Sequence, residues 1–143
     1  MIFVMVLCSS CFYPPEFPRT TTLEEAEKSM GISIPLPHLL PPSYGLDEVV
    51  LTDNKTVSLF FRHKTGGEIE LVIQWYKGGS LPYKITENDP YTIKIEGFTG
   101  KMIYENERRG IVWNLIYQKE VYGTMILYLY VPQEITDQEI GAI

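Results

Sequence analysis

The chain is poor in cysteine, histidine, positive charge and long apolar runs. Cys8 and Cys11 are its two cysteines, and they sit together near the N-terminus. No disulfide therefore staples the body of the fold, and the core must hold by packing. His38 and His63 are its two histidines. Neither has a second His, a Cys or a carboxylate at metal-ligand spacing, so no zinc or iron site assembles from local pattern. Lys and Arg total 12 against 18 Asp and Glu, a net charge of -6, and no basic run offers a track for phosphates, so nucleic acid is not an expected partner. The sequence has no G-x-S-x-G elbow, no Gly-rich loop between a strand and a helix, and no carboxylate pair set apart from the rest. It gives no catalytic residue and no cofactor, and the expectation is a non-enzymatic protein. No segment approaches the roughly 20 apolar residues of a membrane-spanning helix.

What is present is the material of one folded domain. The 143 residues are 45% hydrophobic and 13% aromatic, with ten tyrosines, which is enough for one core and too little for two. Met1 to Leu7 (MIFVMVL) are uninterruptedly apolar, Ser9 and Ser10 are small, and Cys11 follows. That order resembles a lipoprotein signal, with Cys11 as the lipid-bearing residue. The expected organisation is a signal over residues 1–11, a Pro-rich tether over 12–21 and a single domain over 22–143. Alternatively, Met1 to Leu7 form a β-strand that pairs within the domain or with a second copy, since the six β-prone apolar residues Ile2 to Leu7 also suit a buried edge strand. The Cys8-Cys11 spacing is a poor redox motif, because an apolar run precedes it and prolines follow.

Pro14, Pro15 and Pro18 keep the tether extended. Thr22 and Glu25 have the spacing of a capping box; Leu23, Ala26 and Met30 supply an apolar stripe, and Gly31 is placed to end the helix. Pro35, Pro37, Pro41 and Pro42 then exclude helix from a partly buried link. From Asp47 to Val131, segments of alternating β-branched and aromatic residues read as about seven or eight strands in a meander, joined by short Gly- and Asn-containing links that include Gly97 to Gly100, Glu107 to Gly110 and Gly123. Thr136 and Glu139 repeat the capping spacing for a short C-terminal helix. The fold class is thus α+β: one curved antiparallel sheet with a helix from each end of the chain packed on it.

Alternation divides the strand residues between two faces. One carries Val57, Leu59, Phe61, Ile69, Leu71, Ile73, Trp75, Ile111, Trp113, Leu115, Tyr117, Met125, Leu127, Leu129 and Val131, and is the expected core. The other is mixed. Ser58, Arg62, Glu70, Gln74, Asn114 and Gln118 read as solvent-facing, yet Phe60, Val72, Tyr76, Ile126, Tyr128 and Tyr130 share their parity. Those six form a candidate face for an apolar ligand or a partner peptide, beside the simpler reading that they pack against other parts of the domain. The run Glu105 to Gly110 reads as a solvated hairpin tip with capacity to act as a contact loop.

The stretch TTLEEAEKSMGISIPLPHLLPPSYGLDEVVL, the pair KTVSLFFRH and EIELVIQWY, then GIVWNLIYQK and EITDQEIGAI together resemble the domain-of-unknown-function family 4367 over about residues 21 to 143. The resemblance implies an extracytoplasmic, lipoprotein-associated β-rich domain with no catalytic residues. Ser43 departs from it, standing where members often have Gly before the tyrosine, here Tyr44. The functional expectation is a binding or sensing module at the cell surface, held to the membrane by a lipid anchor alone. The alternatives are a soluble interaction protein or oligomer, and an enzyme with a dispersed site.

Overall fold

The structure is a computed structural model; it describes residues 17–78, 92–95, 98–105, 107–118, 122–136, 139–140 and 143. Eight strands form one open antiparallel sheet: β1 (Arg19–Thr21), β2 (Tyr44–Leu51), β3 (Thr56–His63), β4 (Glu68–Lys77), β5 (Thr92–Ile95), β6 (Phe98–Glu105), β7 (Arg108–Gln118) and β8 (Tyr122–Val131). Their spatial order is β1-β2-β3-β4-β8-β7-β6-β5. The single meander expected from the links is therefore two meanders, β1 to β4 and β5 to β8, joined along their long strands β4 and β8. The links within β2 to β4 and within β5 to β8 are short and local, whereas the β4·β8 pairing is long-range and leaves no mark on the turns.

Boundaries differ in instructive places. Arg19–Thr21, expected in the tether, pairs with Val49 to Leu51 as an edge strand, because two threonines beside an apolar strand satisfy the backbone better there than in water. Gly100, Arg108 to Gly110 and Gly123, expected in links, are ladder residues. The expected strand at Tyr83 to Ile85 lies outside the described residues.

The helix α1 (Leu23–Met30) begins at Thr22, whose hydroxyl accepts the Glu25 amide hydrogen at 3.2 Å. Glu25 accepts from the Thr21 hydroxyl at 2.7 Å, and that bond holds its carboxyl below the usual range. Gly31 ends the helix at φ 71, a conformation in which any side chain would crowd the backbone. The Thr136–Glu139 capping box is complete: the Thr136 amide and hydroxyl both donate to the Glu139 carboxylate, and the Glu139 amide returns a bond to the hydroxyl. Much of the helix expected to follow lies outside the described residues.

The core occupies the expected face. Val57, Leu59, Ile69, Leu71, Ile73, Trp75, Met125, Leu127, Leu129 and Val131 cluster with Ala26 and Met30 of α1, Ile32 and Ile34 of the link, and Ile135 and Ile140 near the C-terminus. Burying one such side chain contributes about 1.5–3 kcal/mol, and the cluster is continuous across both meanders. Leu115 and Tyr117, assigned to this face, have side chains outside the description. Beyond β1 the edge of β2 is blunted by a register shift between Leu46 and Glu48 and by Asp47 and Glu48, which pair with Arg62 together with Glu68, the charge-and-bulge device that discourages edge-to-edge association.

Candidate functional site

The second face is built by register. Across β3, β4, β8 and β7, Ser58 stands opposite Val72, Val72 opposite Tyr128, and Tyr128 opposite Val112. In adjacent rows, Ile126 lies between Gln74 and Asn114, Tyr130 lies between Glu70 and Gly110, Phe60 faces Glu70, and Tyr76 faces Thr124. The six aromatic and aliphatic residues picked out by parity therefore share one face across three neighbouring strands.

The centre of this face is dry. Ile126 is 0% exposed, Val112 3% and Tyr130 8%, yet these three stand outside the core cluster. Every buried apolar residue described outside the strands joins the core on the opposite side. Phe60, Val72, Tyr76 and Tyr128 surround the centre half-buried. Several residues read as solvent-facing are not: Ser58 is buried, and Glu70, Gln74 and Asn114 are half-buried. Alternation gives the direction of a side chain and not what covers it. Arg62 alone among the described members of that set is exposed. Gln118 belongs to β7, with its side chain outside the description.

One end of the face is closed by a polar network that sequence reasoning missed. Arg108 donates to Glu70 at 2.5 Å, and its guanidinium lies 4.4 Å from the centroid of the Tyr130 ring. The Tyr130 hydroxyl donates to Glu105 at 2.8 Å. Burial first, and then that bond to a carboxylate, push the phenol far above its ordinary value, so it remains a neutral donor. Gly110 makes the stacking feasible: a Cβ there would press on the Leu129 carbonyl and come within 3.2 Å of the Tyr130 ring. The only signal in the sequence was a Gly followed by alternating apolar residues, which does not name its aromatic partner.

Behind the network, Tyr104, Glu105, Glu107, Arg108, Arg109 and Gln133 line a groove of about 390 Å³. Arg108 and Arg109 are strand residues and not a free tip: the first pairs with Glu70, and the second donates to the Ile135 carbonyl. His63 is occupied locally, its Nδ1 within 2.6 Å of the Thr65 hydroxyl and its ring 5.1 Å from that of Tyr44. The His38 amide donates to the Ile143 carbonyl.

Among the described residues no three His, Cys, Asp or Glu side chains are grouped to hold a metal ion, and no helix is long and apolar enough to cross a membrane. Cys11 lies outside the described residues. No family model, no curated protein and no solved structure matches this chain. The resemblance to the domain-of-unknown-function family 4367 gains no support from these comparisons, and what it implies is carried forward only as a proposal.

Proposed function

We propose that the chain is a non-enzymatic binding module whose second sheet face receives an apolar ligand. The observation that carries this reading is the half-buried ring of Phe60, Val72, Tyr76 and Tyr128 around Val112, Ile126 and Tyr130, on the face opposite the core. Apolar area contributes about 25 cal/mol per Å² when taken out of water, and a half-buried aromatic ring around such a centre lets a ligand complete that burial. In this reading the sheet curves so that the second face is its concave side, with helices from both chain ends on the convex one.

The test uses the neutral fluorophore N-phenyl-1-naphthylamine with the purified chain. Saturable, blue-shifted fluorescence is expected, and Tyr128→Lys, which places a charge beside Val72 and Val112, should abolish it while the far-ultraviolet dichroism is unchanged. Unaltered binding in that variant would overturn the choice of face.

We further propose that the module is extracytoplasmic and anchored by a lipid on Cys11, as the apolar run, the small residues before Cys11 and the resemblance to a lipoprotein-associated family imply. Intact mass and membrane partitioning of the protein from its native host decide this, with Cys11→Ala as control. An unprocessed chain that retains Met1 and stays out of the membrane fraction would refute the anchor and favour an N-terminal strand engaged within the domain or with a second copy.

A further inference from the structure

Resting on the extracytoplasmic reading, we infer that Asn54 is a glycan attachment site, the acceptor of an oligosaccharide delivered on a polyprenyl diphosphate carrier. The chain has four asparagines, Asn54, Asn88, Asn106 and Asn114. Asn54 alone is followed two residues later by a hydroxyl, in Asn54-Lys55-Thr56, with no proline between. That is the pattern an N-linked acceptor requires. Three residues recur by chance in many chains, so the place of these three in the fold carries the argument.

They form the tip of the β2–β3 hairpin. Thr52 to Lys55 are all exposed, and Thr56 opens β3 half-buried. Leu51 and Val57, the pair that closes the ladder beneath the tip, are both 0% exposed, so the core ends where the motif begins and a bulky sugar on Asn54 displaces nothing buried. The turn does not need this asparagine. Asp53 does the local work, its Oδ1 accepting the Lys55 amide hydrogen at 2.7 Å, the bond to the backbone two residues on that aspartate and asparagine supply in turns. The left-handed backbone that also favours asparagine in turns is taken, among the described non-glycine residues, by Ser43 and Glu107 and not by Asn54. The tip is held from outside the motif's side chains: the Thr52 and Trp75 amides donate to the Thr56 and Lys55 carbonyls at 2.9 and 2.8 Å. Asn54 is thus presented on a fixed loop with its side chain unused by the fold.

In the transfer, the Asn54 side-chain nitrogen attacks the anomeric carbon of the carrier-bound sugar. The C–N bond forms as the C–O bond to the diphosphate breaks, the amide proton passes to a base of the transferring enzyme, and polyprenyl diphosphate leaves. The Thr56 hydroxyl docks the acceptor and does not react. Carrier and enzyme act on the outer side of the membrane, which an exported chain passes.

The test is mass spectrometry of the full chain purified from the membrane and soluble fractions of its native host, intact and after proteolysis, for the parent and for Asn54→Gln, Thr56→Ser and Thr56→Val. The parent's Asn54 peptide should carry added mass in whole sugar residues. Asn54→Gln and Thr56→Val should lose all of it, and Thr56→Ser, which keeps the hydroxyl, should retain it. Far-ultraviolet dichroism should be the same in the parent and Asn54→Gln, since Asp53 makes the turn. An unmodified Asn54 peptide from a membrane-bound chain lipidated on Cys11 would overturn the inference and leave the extracytoplasmic reading standing. The same peptide from a soluble chain that retains Met1 would overturn both. Sugar mass that survives Asn54→Gln would place the glycan elsewhere and likewise sink the assignment.

Discussion

Ser43 occupies the third position of a turn closed by the Tyr44 amide donating to the Pro41 carbonyl at 3.2 Å, with Pro42 second and Ser43 at φ 68. Proline second and a positive φ third is the type II arrangement, which favours glycine at the third position because a Cβ is crowded there. The absence of Gly at this position, visible in the sequence, is thus a real local strain. Ser43→Gly is expected to stabilise the chain by about 0.5–1 kcal/mol, the relief of a left-handed side-chain conformation less the added freedom of the unfolded chain; urea denaturation measures it. Tyr130 gives a prediction in pH. Its folded-state value is raised, so the stabilisation tied to the neutral phenol is complete below the ordinary tyrosine value and is lost as pH rises through the higher folded value. Comparing phenolate absorbance between the parent and Tyr130→Phe during alkaline titration, the difference should lie wholly on the strongly alkaline limb. A difference near the ordinary tyrosine value would show that burial and Glu105 do not hold this group.

At the scale of elements, the β6–β7 hairpin shows where alternation reads true and where it stops. Parity placed Phe60, Val72, Tyr76, Ile126, Tyr128 and Tyr130 on one face because side-chain direction is local and has a period of two. The same rule assigned Glu70 and Asn114 to solvent, since it counts direction and not the neighbours on adjoining strands. Glu105 and Arg108 face each other across a link of two residues, and Glu107 takes φ 61 there, so the turn is tighter than the charged run implied and Arg108 is drawn onto the face. Gly110 is the residue on which this depends. Gly110→Ala should cost about 1–3 kcal/mol, as overpacking generally does, and should displace the Tyr130 ring from Arg108. The reading would be sunk by a Gly110→Ala chain that keeps both its denaturation midpoint and the elevated phenol titration. Replacing Arg108 by Ala tests the same network from the other side, leaving the largely covered Glu70 carboxylate unpaired.

Across the whole molecule, the order β1-β2-β3-β4-β8-β7-β6-β5 joins two four-stranded units through one seam. Which strand would lie beside β8 was not legible in the sequence, because every local turn is satisfied equally by one continuous meander. Antiparallel pairing between β4 and β8 is decided by matching two long strands whose core residues alternate in step: Leu71 with Leu129, Ile73 with Leu127, Trp75 with Met125. If that seam is as continuous as the core cluster that crosses it, the halves cannot unfold separately, since each would expose its share of a common core. The two tryptophans make this measurable, for Trp75 belongs to the first meander and Trp113 to the second. In Trp75→Phe and Trp113→Phe, the remaining tryptophan reports one half alone. The midpoint and slope of its fluorescence transition in urea should match those of far-ultraviolet dichroism in the same variant. A Trp113 transition that precedes the loss of dichroism would mean that β5 to β8 open as an independent unit. In that case the second face, which takes Phe60, Val72 and Tyr76 from one half and Val112, Ile126, Tyr128 and Tyr130 from the other, would be assembled only while the seam is closed.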